Sequence, residues 1–106
     1  MDDAMERIRQ MVEHNKIVIF MKGNRHFPQC GFSAATVEVF EALDAPFETV
    51  DVLQDPDVRE GIKQFSKWPT IPQVFVNGKF IGGCDIVREM YEKGELQPLV
   101  KAATAS

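Results

Sequence analysis

The spacing of hydrophobic positions changes several times along this chain, and each change marks an element. Met5, Ile8, Met11 and Val12 recur at helical spacing, which predicts an amphipathic helix over residues 2–14. The run KIVIFM (16–21) is apolar and β-branched, the pattern of a central strand buried on both faces. KGNRHFPQ (22–29) carries Gly, Asn and Pro and predicts a loop. From Phe32 to Leu43 the apolar residues Val37, Phe40 and Leu43 predict a second helix, stopped near Asp44-Ala45-Pro46. PFETVDV (46–52) alternates as a strand does. Asp55-Pro56 is an N-cap and first-turn pair that opens a helix with Val58, Ile62 and Phe65 on one stripe. Gly61 inside that helix is expected to cost about 1 kcal/mol relative to Ala.

WPTIPQVFV (68–76) leads through two prolines into a strand, and Asn77-Gly78 is a strong hairpin signal, with KFIGG (79–83) as the returning strand. Asp85 is the expected cap of a helix carrying Ile86, Val87, Met90 and Tyr91, with Gly94 as its stop. ELQPLVKAA adds a last short helix, and a frayed tail is expected over about 103–106. The order is α-β-α-β-α-β-β-α-α. A βαβ crossover gives a parallel pair and the hairpin an antiparallel one. The predicted fold class is therefore α/β: a thioredoxin-like fold, with one four-stranded mixed sheet flanked by helices on both faces.

A length of 106 residues suits one domain over 1–106, and 44% hydrophobic with 26% charged residues indicates a packed core. The net charge of −4 argues against a nucleic-acid binder. No apolar run approaches the roughly 20 residues that span a bilayer, so no membrane partner is expected. The first residues lack the apolar stretch of a secretory signal, and Asp2 and Asp3 do not suit a transit peptide. Two cysteines do not make a disulfide scaffold, so a reducing, cytoplasmic setting is expected.

Chemistry concentrates at FPQCGFSAAT (27–36). Cys30 sits where the loop hands over to a helix, so the helix dipole favours its thiolate, and Lys22 at the exit of the first strand adds a positive charge. The plainer alternative is a buried, inert cysteine. Ser33 stands where a CxxC motif would hold its second thiol, either to exclude an internal disulfide or simply to satisfy a backbone N–H near the helix start.

KGNRHFPQCGFS, WPTIPQVFVNG and GGCD, in that order and spacing, resemble a monothiol glutaredoxin of the single-domain CGFS type, over about Met5 to Lys101. One departure is NRHF in the loop, where the family often has small residues and proline. The resemblance implies glutathione binding, a homodimer bridged by a [2Fe-2S] cluster, and a BolA-like partner in iron–sulfur trafficking and iron homeostasis, with apo iron–sulfur proteins as recipients. It also implies residue roles. Cys30 is the catalytic thiol and cluster ligand. Lys22 and Arg59 match the contacts to the glycyl carboxylate of glutathione, and Asp85 matches the acid that receives its ammonium. Pro72 matches the cis-proline of the TIP segment, presenting the Ile71 backbone to the tripeptide beside Thr70; Gly31, Phe32 and Ser33 complete the motif.

A [2Fe-2S] cluster normally takes four thiolates. One Cys30 from each of two chains supplies two, leaving the others to glutathione, which the resemblance favours, or to Cys84. Cys84 has three readings: backbone approach to the ligand after two glycines, plain packing, or a resolving thiol toward Cys30. Phe32 either covers the thiol and shapes a partner face or begins the helix's core stripe. Trp68 is assigned to packing, and His14 and His26 to solvent. Two functions follow. The first is an iron–sulfur carrier, a binding protein more than an enzyme. The alternative is a glutathione-dependent thiol–disulfide oxidoreductase that deglutathionylates protein thiols.

Overall fold

A computed structural model describes residues 2–105, so Ser106 of the expected tail lies outside the described residues. The elements are α1 (Asp2–His14), β1 (Ile17–Met21), α2 (Gly31–Ala42), β2 (Glu48–Asp51), α3 (Pro56–Ser66), β3 (Gln73–Val76), β4 (Lys79–Gly82), α4 (Cys84–Glu92) and α5 (Leu96–Thr104). Their order is the expected one. The strands form one sheet in the order β2-β1-β3-β4; β1 pairs parallel with β2 and antiparallel with β3, and β3 pairs antiparallel with β4.

β1 is buried along its whole length because both faces are covered. Ile17, Ile19 and Met21 join Val37, Phe40, Val87, Leu96 and Val100 on the side of α2, α4 and α5. Val18 and Phe20 join Ile8, Val12, Val58, Ile62 and Phe75 on the side of α1 and α3. The period-2 alternation of side chains thus sorts a uniformly apolar strand into two cores, each fully buried Ile, Val or Phe contributing about 1.5–3 kcal/mol.

Gly61 has a packing reason: a Cβ there would meet Ile8 Cδ1 at 2.9 Å, so the glycine lets α1 approach α3. The middle of α1 is also tied to the start of α3. Asp55 caps α3 by accepting from the Val58 N–H at 3.2 Å, and Arg7 Nη1 reaches the other carboxylate oxygen at 2.6 Å. The Arg7 guanidinium, with the Val58 N–H, holds the Asp55 carboxyl below its usual range. The hairpin turn is as expected, with Asn77 and Gly78 both at positive φ (53° and 81°).

Three of the boundary differences have a cause in the structure. β2 is shorter than 46–52, because Pro46 has no N–H to give the ladder and Phe47 turns into the core instead. α4 is capped by Gly83, in extended conformation, and Asp85 lies inside the first turn. The tail expected to fray from 103 remains helical through Thr104, because Ala103 is buried against the core.

Candidate functional site

Cys30 is the N-cap of α2, with extended backbone (φ −155°, ψ 138°), and its carbonyl accepts the helix's first bond from Ala34 at 2.9 Å. The neutral thiol makes no capping hydrogen bond. The backbone N–H of Ser33 nevertheless favours the sulfur's anion and lowers its pKa below the ordinary thiol value. Partial burial opposes this; the Phe32 N–H, the Lys22 charge and the Ser33 hydroxyl add to the lowering. The cause is positional: an N-cap side chain lies opposite the N–H groups two and three residues on. Cys30 is partly exposed and Cys84 is buried, and both thiols are free.

Ser33 is fully buried, and its Oγ accepts the Lys22 N–H at 3.1 Å. The hydroxyl therefore ties the start of α2 to the exit of β1, the backbone-satisfying role that the sequence left open, with the strand's N–H as its donor. The intervening loop is held at several points. Gln29 donates its N–H to the Lys22 carbonyl at 2.9 Å, and the Gly23 N–H reaches Asp51 Oδ1 at 2.9 Å. A Cβ on Gly23 would come within 2.4 Å of the Phe27 carbonyl oxygen, so glycine is required in this turn. Asn24 Oδ1 accepts from the N–H groups of His26 and Phe27. Arg25 pins the loop's outer side to Glu41 Oε1 at 2.7 Å and to the Phe47 carbonyl at 3.0 Å, its guanidinium 3.9 Å from the Phe47 ring centre.

Beside the start of α2 runs an open groove of ≈ 220 Å³. One wall is the loop Thr70–Ile71–Pro72, with Trp68 at its end; the other is the turn Gly83–Cys84–Asp85–Ile86, and Phe32 stands at the α2 end. The Ile71–Pro72 peptide is cis. Gly83 leaves room between the walls, since a Cβ there would meet the Pro72 carbonyl oxygen at 3.2 Å. Trp68 is placed by a run of rings: Phe20 to Phe75 (5.7 Å between centroids), Phe75 to Phe80 (5.4 Å) and Phe80 to Trp68 (6.0 Å).

The glutaredoxin family model matches residues 17–81, more than half of the chain. The chain belongs to the glutaredoxin family. It is 55% identical to an uncharacterised monothiol glutaredoxin (ycf64-like) of Synechocystis over 104 residues, covering 98% of this chain and 97% of the relative. The solution structure of reduced poplar apo GrxS14 superposes with a TM-score of 0.84 at 46% identity, over 95% of this chain and 93% of that one. The crystal structure of a buckwheat glutaredoxin–glutathione complex does so at 0.86 and 30% identity, over 96% and 91%. With Cys30 followed by Ser33, this is a monothiol glutaredoxin with the thioredoxin-like fold expected from the sequence.

Of the residues singled out in this glutaredoxin's sequence, Phe32, Thr70, Ile71, Pro72, Cys84 and Asp85 come together around the groove. Cys30, Gly31 and Ser33 form the adjoining helix start, and Lys22 is near enough to act on the Cys30 charge. Arg59 is half-buried on α3, outside the groove's walls, with no ion pair among the described residues. Phe32 is 60% exposed, so it does not begin the core stripe. His14 and His26 are exposed as expected. Trp68 combines the expected packing with a place on the groove wall. Asp51, Ile86 and Gln73 were missed as site residues. Asp51 acts on a backbone N–H 28 residues away, which no local pattern reveals, and Gln73 acts on carbonyls three and five residues back, which it reaches only because the intervening loop folds over it. Ile86 was legible only as an apolar helix position.

Proposed function

We propose that this chain binds glutathione in the groove against the Cys30 thiolate and carries a [2Fe-2S] cluster as cargo between two copies of itself. The observation that carries this reading is a partly exposed thiol of lowered pKa whose motif partner, Ser33, is buried and already committed to the Lys22 N–H. A thiolate without a neighbouring thiol cannot close an internal CxxC disulfide, and stays available to a metal or to a thiol from outside. A single chain does not supply the donor set: among the described residues no three His, Cys, Asp or Glu side chains gather as metal ligands. A cluster that takes four thiolates then draws on Cys30 from each of two copies and on two glutathione thiols.

The buckwheat relative's complex with glutathione supports the tripeptide as ligand. In this reading the Ile71 backbone and Asp85 hold the peptide and ammonium ends of glutathione, with Lys22 and Arg59 toward the glycyl carboxylate. The cluster passes to apo iron–sulfur proteins, with a BolA-like protein as partner, in a cytoplasmic setting. No helix among the described residues is long and apolar enough to cross a membrane.

A second reading rests on the same lowered pKa. Cys30 attacks the glutathione sulfur of a glutathionylated protein, the protein thiolate leaves, and a second glutathione releases Cys30 as glutathione disulfide. Anaerobic reconstitution with glutathione, followed by absorption and size analysis, separates the two. A glutathione-dependent chromophore on a dimer supports the carrier. A monomer that holds no iron but turns over a mixed disulfide reverses the ranking.

A further inference from the structure

We infer that Gln73 is a positioning residue that aims the backbone of the groove's loop wall at glutathione; the inference rests on the glutathione reading above. Gln73 is fully buried, opens β3 directly after the cis peptide, and pairs in register with Phe20 of the central strand. Its Nε2 donates to two loop carbonyls, that of Trp68 at 2.9 Å and that of Thr70 at 3.0 Å. Its Oε1 is buried with no hydrogen-bond partner among the described residues.

The two ends of this amide tell different stories. Its donor end closes two part-buried bonds onto one loop. The orphaned Oε1 is a penalty that an apolar side chain of equal length would avoid. With both donors turned on one loop, the side chain fixes the geometry of that loop.

That geometry has a direct consequence. In a trans peptide the C=O and the following N–H point in opposite directions. Holding the Thr70 carbonyl toward Gln73 therefore turns the Ile71 N–H away from the interior, on a loop whose residues line the groove. That N–H has no backbone partner among the described residues. It is a free donor on a sheet-anchored support, suited to an extended peptide such as glutathione. The Trp68 carbonyl is followed by Pro69, which has no N–H, so its bond to Gln73 fixes the loop's entry and presents no donor.

Titration calorimetry with reduced glutathione, on the wild type and on Gln73→Met, tests this. The variant is expected to bind about fivefold to tenfold more weakly, the scale of one well-placed hydrogen bond. The pH profile of Cys30 alkylation by iodoacetamide is expected to stay unchanged, because the groups that lower its pKa are Ser33, Phe32 and Lys22. Should Gln73→Met not fold, Gln73→Asn, which keeps the amide one methylene short, carries the same expectation. Unchanged affinity in a folded variant, with or without a lower melting temperature, overturns the inference and leaves the glutathione reading standing. A wild type that binds no glutathione overturns both.

Discussion

Both cysteines of this chain open a helix, and the two helix starts behave differently. Cys30 is the N-cap of α2, partly exposed, while Cys84 is the first residue inside α4 and is buried in the groove wall. A dipole argument alone treats them alike. The one-residue offset separates them. From the N-cap a side chain lies opposite the free N–H groups of the first turn, a position that Cys84, inside its turn, does not hold. The glycines beside the two thiols carry the same contrast. A Cβ on Gly31 would meet nothing within 4 Å, whereas one on Gly83 would meet the Pro72 carbonyl oxygen. The start of α2 presents a partly exposed thiol of lowered pKa, and the start of α4 builds a wall.

The sharpest break in this comparison is removal of each thiol in turn. Cys30→Ser is expected to abolish glutathione-dependent cluster loading, read by absorption after anaerobic reconstitution, and Cys84→Ser to retain it; assembly without glutathione would count against the carrier. Next comes reactivity against pH. Because the folded thiol's pKa is depressed, alkylation of Cys30 in the native protein is expected to reach half-maximal rate at a lower pH than in urea. The sign for stability follows: the contribution of Cys30 is fully present above the unfolded thiol's pKa and is lost as pH falls through the lower folded value.

Ser33→Ala leaves the Lys22 N–H without its partner at the part-buried junction of β1 and α2. It is expected to destabilise by about 1–3 kcal/mol in urea unfolding and to shift the Cys30 alkylation midpoint upward. Gly83→Ala forces the Pro72 carbonyl or the helix start to move, at a cost of about 1–3 kcal/mol, with weaker glutathione binding by calorimetry. Gly31→Ala is the smallest effect and has the opposite sign. With open space around its Cβ, it is expected to raise stability by about 0.4–1 kcal/mol through the unfolded chain.

Much of this was legible in the sequence because it depends on neighbours along the chain. The β-branched run 16–21, the Asn77-Gly78 turn and the Asp55-Pro56 helix start each specify their own backbone, and all three form as expected. The placement of Asp85 was two residues off, because a carboxylate just before an apolar helical stripe reads as a cap although Gly83 takes the extended conformation of the cap itself. Gly61 read as a helix defect, since the Ile8 side chain that needs the space lies on another helix. Arg25 read as a loop residue in a departure from the family; only the folded chain brings Glu41 and Phe47 beneath it.

By itself the sequence determined the element order, the helix-start thiol and the missing second cysteine, because period, turn chemistry and motif spacing are properties of adjacent residues. The tertiary structure decided what those residues face. It buried Ser33 against the strand exit, joined the cis-proline loop and the start of α4 into one groove, and set Gln73 beneath that loop with both donors on its carbonyls. Those arrangements depend on which backbone groups the sheet and helices bring within about 3 Å of one another, and hydrogen bonds act only at that range.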